Sequence, residues 1–273
     1  MRELNHLSEI IQDYDTFVID LWGVLHNGIS PNERAMEAVI QLKNNSKKIV
    51  FLSNAPRPSS KVIDFLVRMN IDKRYLSNVM TSGEAAMYAI NQNKFGTKFF
   101  HLGPARDTSI FEKVKKNKTT IDSCEFILCT GLYDDYLNDL DFYRNLLSGH
   151  TKKKLICTNP DLTVHRGEKE EFCAGYIAKI FEELGGKVIY YGKPHKEIYE
   201  FCFNSNEKVL AIGDNLRTDI RGANNLNKDC LFITNGVHRN EFDNKTELEN
   251  LLQKYNVNVN FFQKELKWWN ENL

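Results

Sequence analysis

The chain has 273 residues and no net charge, with 36 lysines and arginines against 36 aspartates and glutamates. That balance excludes a global pull toward nucleic acid or an anionic membrane, so any anion site must be built locally. No run approaches the roughly 18 apolar residues that a spanning helix needs. The opening stretch, MRELNHLSEIIQDYD, mixes acids into a short amphipathic pattern. It lacks the apolar centre and small-residue cleavage site of a secretory signal, and the expectation is a cytoplasmic protein. Six cysteines (Cys124, Cys129, Cys157, Cys173, Cys202 and Cys230) include no C-x-x-C pair, and most sit in apolar runs such as FILC and LIC. Buried reduced thiols are expected rather than a disulfide frame or a zinc site. Internal repeats and low-complexity linkers are also lacking. Apolar content of 42% and charged content of 26% fit a folded chain. The length suits one large α/β domain or two smaller ones.

What is there is alternation. Short apolar runs appear at 16–19, 48–52, 98–102, 125–129, 154–157, 187–191, 208–212 and 230–233. They are continuous rather than period-two, as strands covered on both faces require. Amphipathic segments separate them. Residues 31–45 carry apolar Ala35, Met36, Val39, Ile40 and Leu42. Residues 58–69 open on Pro-Ser-Ser, a capping sequence, and 170–184 repeat the helical pattern. The tail from 247 onward reads as helical, and its tryptophan pair as packing. Strand–helix–strand alternation predicts parallel sheet with right-handed crossovers. The fold class is therefore α/β, with a Rossmann-like parallel-sheet core. The runs near 16, 48, 187, 208 and 230 end in polar turns, four of them with a glycine, whereas the block at 84–186 has its own runs and helices. We expect a core of residues 1–83 and 187–273 with an inserted α/β cap of 84–186.

Ligands of open parallel sheets bind beyond the carboxyl ends of the strands. Asp20 follows the first run, Ser53 and Asn54 the second. Gly192 and Lys193 follow KVIYY; Gly213 and Asp214 follow KVLAI, with Asp219 five residues on. If these strands are parallel neighbours, two carboxylates, a hydroxyl and an ammonium converge on one rim. Two acids there repel unless a cation joins them. Two carboxylates, a backbone carbonyl and water suit a magnesium-type oxygen site. The hydroxyl, the lysine and the turn N–H groups can hold phosphate oxygens.

The stretches DLWGVL, LSNAP, GKP and GDNLRTDIRGA, in that order and at these separations, resemble the four motifs of the haloacid dehalogenase-like (HAD) superfamily. The large insert resembles that of class IIA, which includes NagD-type, para-nitrophenylphosphatase and phosphoglycolate phosphatase families. The resemblance implies a magnesium-dependent (Mg2+) phosphatase acting on a small phosphorylated metabolite through an aspartyl-phosphate. Asp20 matches the nucleophile. Asp20, Asp214 and the backbone carbonyl of Trp22 match the metal ligands. Ser53 and the backbone N–H of Asn54 would hold phosphoryl oxygens, Lys193 would neutralise nucleophile and phosphoryl group, and Asp219 would orient Lys193 or a metal-bound water. The insert would cover the site and select the leaving group. Its turn TNPDLTVH, with Asn159, Pro160, Asp161 and His165, would face the site; a plain loop is the other reading. The class leaves open a homodimer through the cap, and nothing points to nucleic acid or membrane as partner.

The sequence departs from the D-x-D pattern at Trp22, where the usual second Asp protonates the leaving oxygen. An indole can do neither acid nor base work. Three accounts stand open. His26 in the loop LHNG takes over, or the substrate has a good leaving group, or catalysis has decayed to leave a phospho-ligand binder. A phosphotransferase is a further alternative. Aromatic residues at this position also occur in the metal-free dehalogenases of the superfamily, but the acidic GDNLRTD speaks against those. Gly175, inside a helical pattern, is expected to permit close packing. His195 and Lys196 either shape the pocket mouth or face solvent.

Overall fold

A computed structural model describes residues 1–166 and 169–269. Thirteen strands form in chain order: β1 (Arg2–Glu3), β2 (Thr16–Ile19), β3 (Lys48–Ser53), β4 (Val79–Thr81), β5 (Phe99–Leu102), β6 (Phe126–Cys129), β7 (Lys154–Cys157), β8 (Thr163–Arg166), β9 (Lys169–Phe172), β10 (Lys187–Tyr190), β11 (Val209–Gly213), β12 (Asp229–Ile233) and β13 (Phe261–Gln263). The α-helices are α1 (Glu33–Asn44), α2 (Ser59–Arg68), α3 (Ser82–Asn91), α4 (Leu140–Ser148), α5 (Ala174–Glu183), α6 (Lys196–Tyr199), α7 (Arg221–Asn225) and α8 (Lys245–Tyr255).

Seven strands make one parallel sheet in the order β1-β13-β12-β11-β2-β3-β4. From β2 the chain proceeds outward through β3 and β4, and from β11 outward the other way through β12 and β13. The order therefore reverses between β2 and β11, which is where open α/β sheets bind ligands. The register levels their ends: Ile19 pairs with both Phe51 of β3 and Ile212 of β11.

Alternate residues of these strands enter different cores, which is why the runs are continuously apolar. Phe17, Ile19, Phe51 and Ile212 pack under α1 and α2 with Ala35, Val39, Val62 and Leu66. On the opposite face, Val18, Val50 and Leu52 join Ala85, Ala86, Ala89 and Ile90 of α3. That same cluster continues into Phe99, Phe126, Leu128 and Ile156 of the second sheet. The two sheets thus share one buried cluster that includes α3.

The second sheet, β10-β7-β6-β5, is also parallel, and an antiparallel hairpin β8–β9 projects from it. Two expectations are corrected here. The run at 187, assigned to the core, pairs with β7 and forms the edge of this second sheet. The chain leaves β7, passes through α5 and returns parallel beside it as β10, a β–α–β crossover of the kind such sheets use. The polar turn at 192–194 marks the return to the core rather than the end of a core strand. The helix expected from 170 begins at Ala174, because 169–172 belong to the hairpin.

Among the described residues the tail is helical only over α8; Phe261–Gln263 then adds a strand between β12 and β1. Trp268 is buried and Trp269 exposed. Residues 270–273 lie outside the described residues. The α2 N-terminus takes its cap from elsewhere than expected. Ser59 N–H donates to a carboxylate oxygen of Glu84 at 2.9 Å, an anion placed where the helix dipole favours one. All six cysteines are buried free thiols. No helix among the described residues is long and apolar enough to cross a membrane.

Candidate active site

Asp20 is the residue at which β2 stops. Its N–H donates to Ile212 O at 2.8 Å, so its backbone is tied to β11 and its carboxylate stands at the reversal point of the sheet. Lys193 reaches that point from the segment that returns from the second sheet. Its ammonium donates to Asp20 Oδ1 and to Asp219 Oδ1, the latter at 2.6 Å. Asp219 sits in a π turn, Leu216–Ile220, and its Oδ2 accepts the Asn215 N–H at 3.1 Å. Asp214 Oδ2 accepts the Val237 N–H at 2.9 Å.

Glycines make room for these acids. A Cβ on Gly23, whose φ is +90°, would stand 2.0 Å from Asp214 Oδ2; one on Gly236 would stand 2.1 Å from the same atom. Gly23→Ala is expected to cost on the order of 2 kcal/mol or more, from left-handed backbone and direct overlap. Urea denaturation measures it, and an unchanged midpoint would show that Asp214 can move aside freely.

Asp20, Asp214 and Asp219 are all buried, with ligand atoms within 4.8 Å of one another. Burial drives the Asp20 carboxyl well above its ordinary range; Lys193 opposes this, while Asp219 and Asp214 add to it. Burial also pushes Asp214 up, to about 8, with Asp219 repulsion second. For Lys193 burial works against the charge, but the carboxylates of Asp20, Asp219 and Asp161 outweigh it, and the ammonium is held well above its ordinary range. When all three carboxylates are ionised they carry a surplus of two negative charges over the one ammonium, which a divalent cation would balance. The oxygen-only donor set is the kind that magnesium prefers, so these residues fit the ion the resemblance implies.

Ser53 and Asn54 end β3 beside Asp20. Ser53 Oγ accepts the Ala55 N–H at 3.2 Å. The Asn54 amide links three segments. Its Nδ2 donates to Lys193 O and to Asp161 Oδ1, both at 3.1 Å, and its Oδ1 accepts the Lys193 N–H at 2.7 Å.

A cavity of about 230 Å³ lies over this group, between the two sheets. Asp20, Trp22, His26, Ser53, Asn54, Asn159, Asp161, Lys193, Asp214 and Asp219 all line it. The segment TNPD thus faces the cavity, and its continuation is strand β8 rather than turn. Gly175 has the packing role expected of it, since a Cβ there would meet Pro160 O at 2.3 Å. The side chain of His165 lies outside what is described. His195 stacks on Tyr190 at 5.0 Å and Lys196 is exposed; neither lines the cavity.

His26 does not suit the acid role expected of it. Its Nδ1 accepts the Gly28 N–H at 3.0 Å, with Trp22 and Phe65 packed edge-on at 5.1 and 5.7 Å. A ring charged for proton donation carries hydrogen on both nitrogens, and the one on Nδ1 would meet that N–H. Sequence reading also missed an ion pair in the cavity wall, Arg57 Nε to Asp107 Oδ1 at 2.7 Å. Two charges 50 residues apart leave no local signal.

A haloacid dehalogenase-like hydrolase family model matches residues 17–116, and a second HAD-hydrolase-like model matches 190–254. Between them they contain Asp20, Ser53, Lys193, Asp214 and Asp219. The chain belongs to the haloacid dehalogenase-like hydrolases. Within that superfamily it is similar to a solved haloacid dehalogenase-like hydrolase from Brucella suis, at 28% identity and a TM-score of 0.83. That match covers 97% of this chain and all of the other. A solved p-nitrophenyl phosphatase from Archaeoglobus fulgidus, 18% identical with a TM-score of 0.72 over 95% of this chain and 99% of that one, has the same fold. The curated 5'-nucleotidase YutF of Bacillus subtilis is 25% identical over 239 residues, 85% of this chain and 91% of that protein. A solved "putative nagD protein", 21% identical with a TM-score of 0.64 over 85% of this chain and 93% of that one, shares the fold as well.

Proposed function

We propose that the protein is a phosphatase that hydrolyses a small phosphorylated metabolite, with Asp20 as nucleophile and the second sheet with its helices as cap. The observation that carries this reading is the meeting of Asp20, Asp214, Asp219 and Lys193 at the reversal point of the sheet. The phosphatase and nucleotidase among its relatives support the same class of reaction. Asp20 attacks phosphorus in line and takes the phosphoryl group as an aspartyl-phosphate, which water then hydrolyses. Lys193 orients the Asp20 carboxylate and neutralises charge on the transferred oxygens. Ser53 and the Asn54 N–H hold phosphoryl oxygens, while Asp219 keeps the ammonium in place. Asp20, Asp214 and the Trp22 carbonyl would hold magnesium, whose charge screens the anionic nucleophile from the anionic substrate and stabilises charge in transfer. His26 and Asn159 contribute to substrate binding from the cavity wall.

Phosphate release from p-nitrophenyl phosphate and a panel of phosphorylated metabolites tests this. Turnover should require magnesium and vanish with a chelator. Trp22, in place of an acid, favours a second reading: a phospho-ligand binder with little turnover. That protein would gain thermal stability from phosphorylated ligands plus magnesium yet release no phosphate.

A further inference from the structure

With Trp22 unable to move protons, a carboxyl from another part of the cavity has to do so if alkyl phosphates are to be cleaved. Outside the Asp20, Asp214 and Asp219 trio, the acids lining the cavity are Asp107, Glu171 and Asp161. Asp107 is held by Arg57. Glu171 lies on the cap hairpin with Lys169 at 3.6 Å. Asp161 differs from both. It belongs to the cap, yet its bonds go to the floor of the site. It accepts from Asn54 Nδ2 at 3.1 Å, its own N–H donates to Asn159 Oδ1 at 3.0 Å, and Thr218 lines the same cavity.

Its placement is firm. Gly175 and Gly192 let the Pro160–Asp161 segment pass close: a Cβ on Gly192 would stand 2.8 Å from Pro160 Cδ, besides the overlap at Gly175. Asn54 fixes the segment that carries the Lys193 ammonium and the Asp161 carboxyl with one amide group. The two charges are close enough to shift each other. Asp161 thus lines the same cavity as Asp20, Ser53 and Lys193, tied to the Lys193 segment through Asn54.

We propose that Asp161 is the acid and base of this site, doing from the cap the work that the Trp22 indole cannot do. The proposal rests on the phosphatase reading above. As the bond from Asp20 to phosphorus forms and the bond to the leaving oxygen breaks, the Asp161 carboxyl gives its proton to that oxygen. The products are a neutral alcohol, the aspartyl-phosphate and an Asp161 carboxylate. In the second step the carboxylate takes a proton from water as the water oxygen attacks phosphorus. Inorganic phosphate leaves, Asp20 is a carboxylate again, and Asp161 is protonated again. Burial already pushes the Asp161 carboxyl up to about 6, against the pull of Lys193.

The test compares leaving groups. In Asp161→Asn, which keeps an oxygen for Asn54, kcat/KM for ethyl phosphate should fall about 10²–10⁴-fold. For p-nitrophenyl phosphate, whose leaving group needs no proton, kcat/KM should fall less than about 10-fold. Since kcat/KM extends only through transfer to Asp20, the missing base should show separately, as a burst of nitrophenolate before slow turnover. Asp161→Glu should restore part of the ethyl phosphate activity. Circular dichroism verifies that both variants fold; a uniform loss on both substrates with no burst in the folded Asn variant overturns the assignment. A wild-type chain that cleaves neither substrate sinks the phosphatase reading and this proposal with it, whereas turnover with uniform loss sinks this proposal alone.

Discussion

Asp20→Asn abolishes phosphate release, by a factor on the order of 10⁴ or more, without unfolding the protein. An amide has no anionic oxygen with which to attack phosphorus, so the covalent route closes rather than slows. The fold should survive because the substitution removes one of three crowded carboxylates. The Asp20 carboxyl is raised chiefly by burial and further by Asp219 and Asp214, so its charged form is costly in the metal-free chain. Lys193 keeps its second partner, Asp219, at 2.6 Å. The melting temperature without magnesium is therefore expected to hold or rise, while the increment that magnesium adds should shrink. Calorimetry of both chains with and without the ion, beside a malachite-green phosphate assay, reads both effects. Substantial turnover by the Asn variant would remove Asp20 from the role of nucleophile.

Lys193→Met should show the largest stability effect at the site. The lysine is buried between two buried carboxylates. Removing one partner of such a group leaves uncompensated charge in the interior, which costs about 3–5 kcal/mol. The sign of the pH dependence follows. Asp20 already binds its proton more tightly folded than unfolded, and without the ammonium the difference widens. A carboxyl with a raised folded pKa adds stability below its unfolded value and loses it as pH rises through the folded value. The deficit of the Met variant should thus be small near pH 5 and largest at pH 8. Asp214, pushed up to about 8, gives the metal-free wild type a weaker slope of the same sign. Urea unfolding at both pH values decides; an equal deficit at the two would mean that Lys193 serves packing rather than charge balance.

Much of this was legible in the sequence for a definite reason. A parallel strand covered on both faces writes itself as an unbroken apolar run, and the groups at its carboxyl end follow immediately. Asp20, Ser53 and Asp214 could be placed on one rim without any knowledge of the fold. What could not be read depends on neighbours distant in sequence. β10 has the same local pattern as a core strand, and only its crossover through α5 puts it beside β7. The strands at 79–81 and 261–263 have three residues each, too few to establish a period. His26 suits an acid by residue type and position, but the Gly28 N–H that occupies its Nδ1 is a matter of loop conformation. The bond between Asp161 and Asn54 spans 107 residues of sequence, and no spacing rule covers such a separation.

Because α3 shares one buried cluster with Val18, Val50 and Leu52 of the first sheet and with Phe99, Phe126 and Ile156 of the second, it belongs to the apolar seam between the two. A chimera that borrows a relative's insert must take the join beyond this helix, or rebuild both apolar surfaces that it seals. Variation among such enzymes would then be confined to loops around the mouth, while the attachment itself stays fixed.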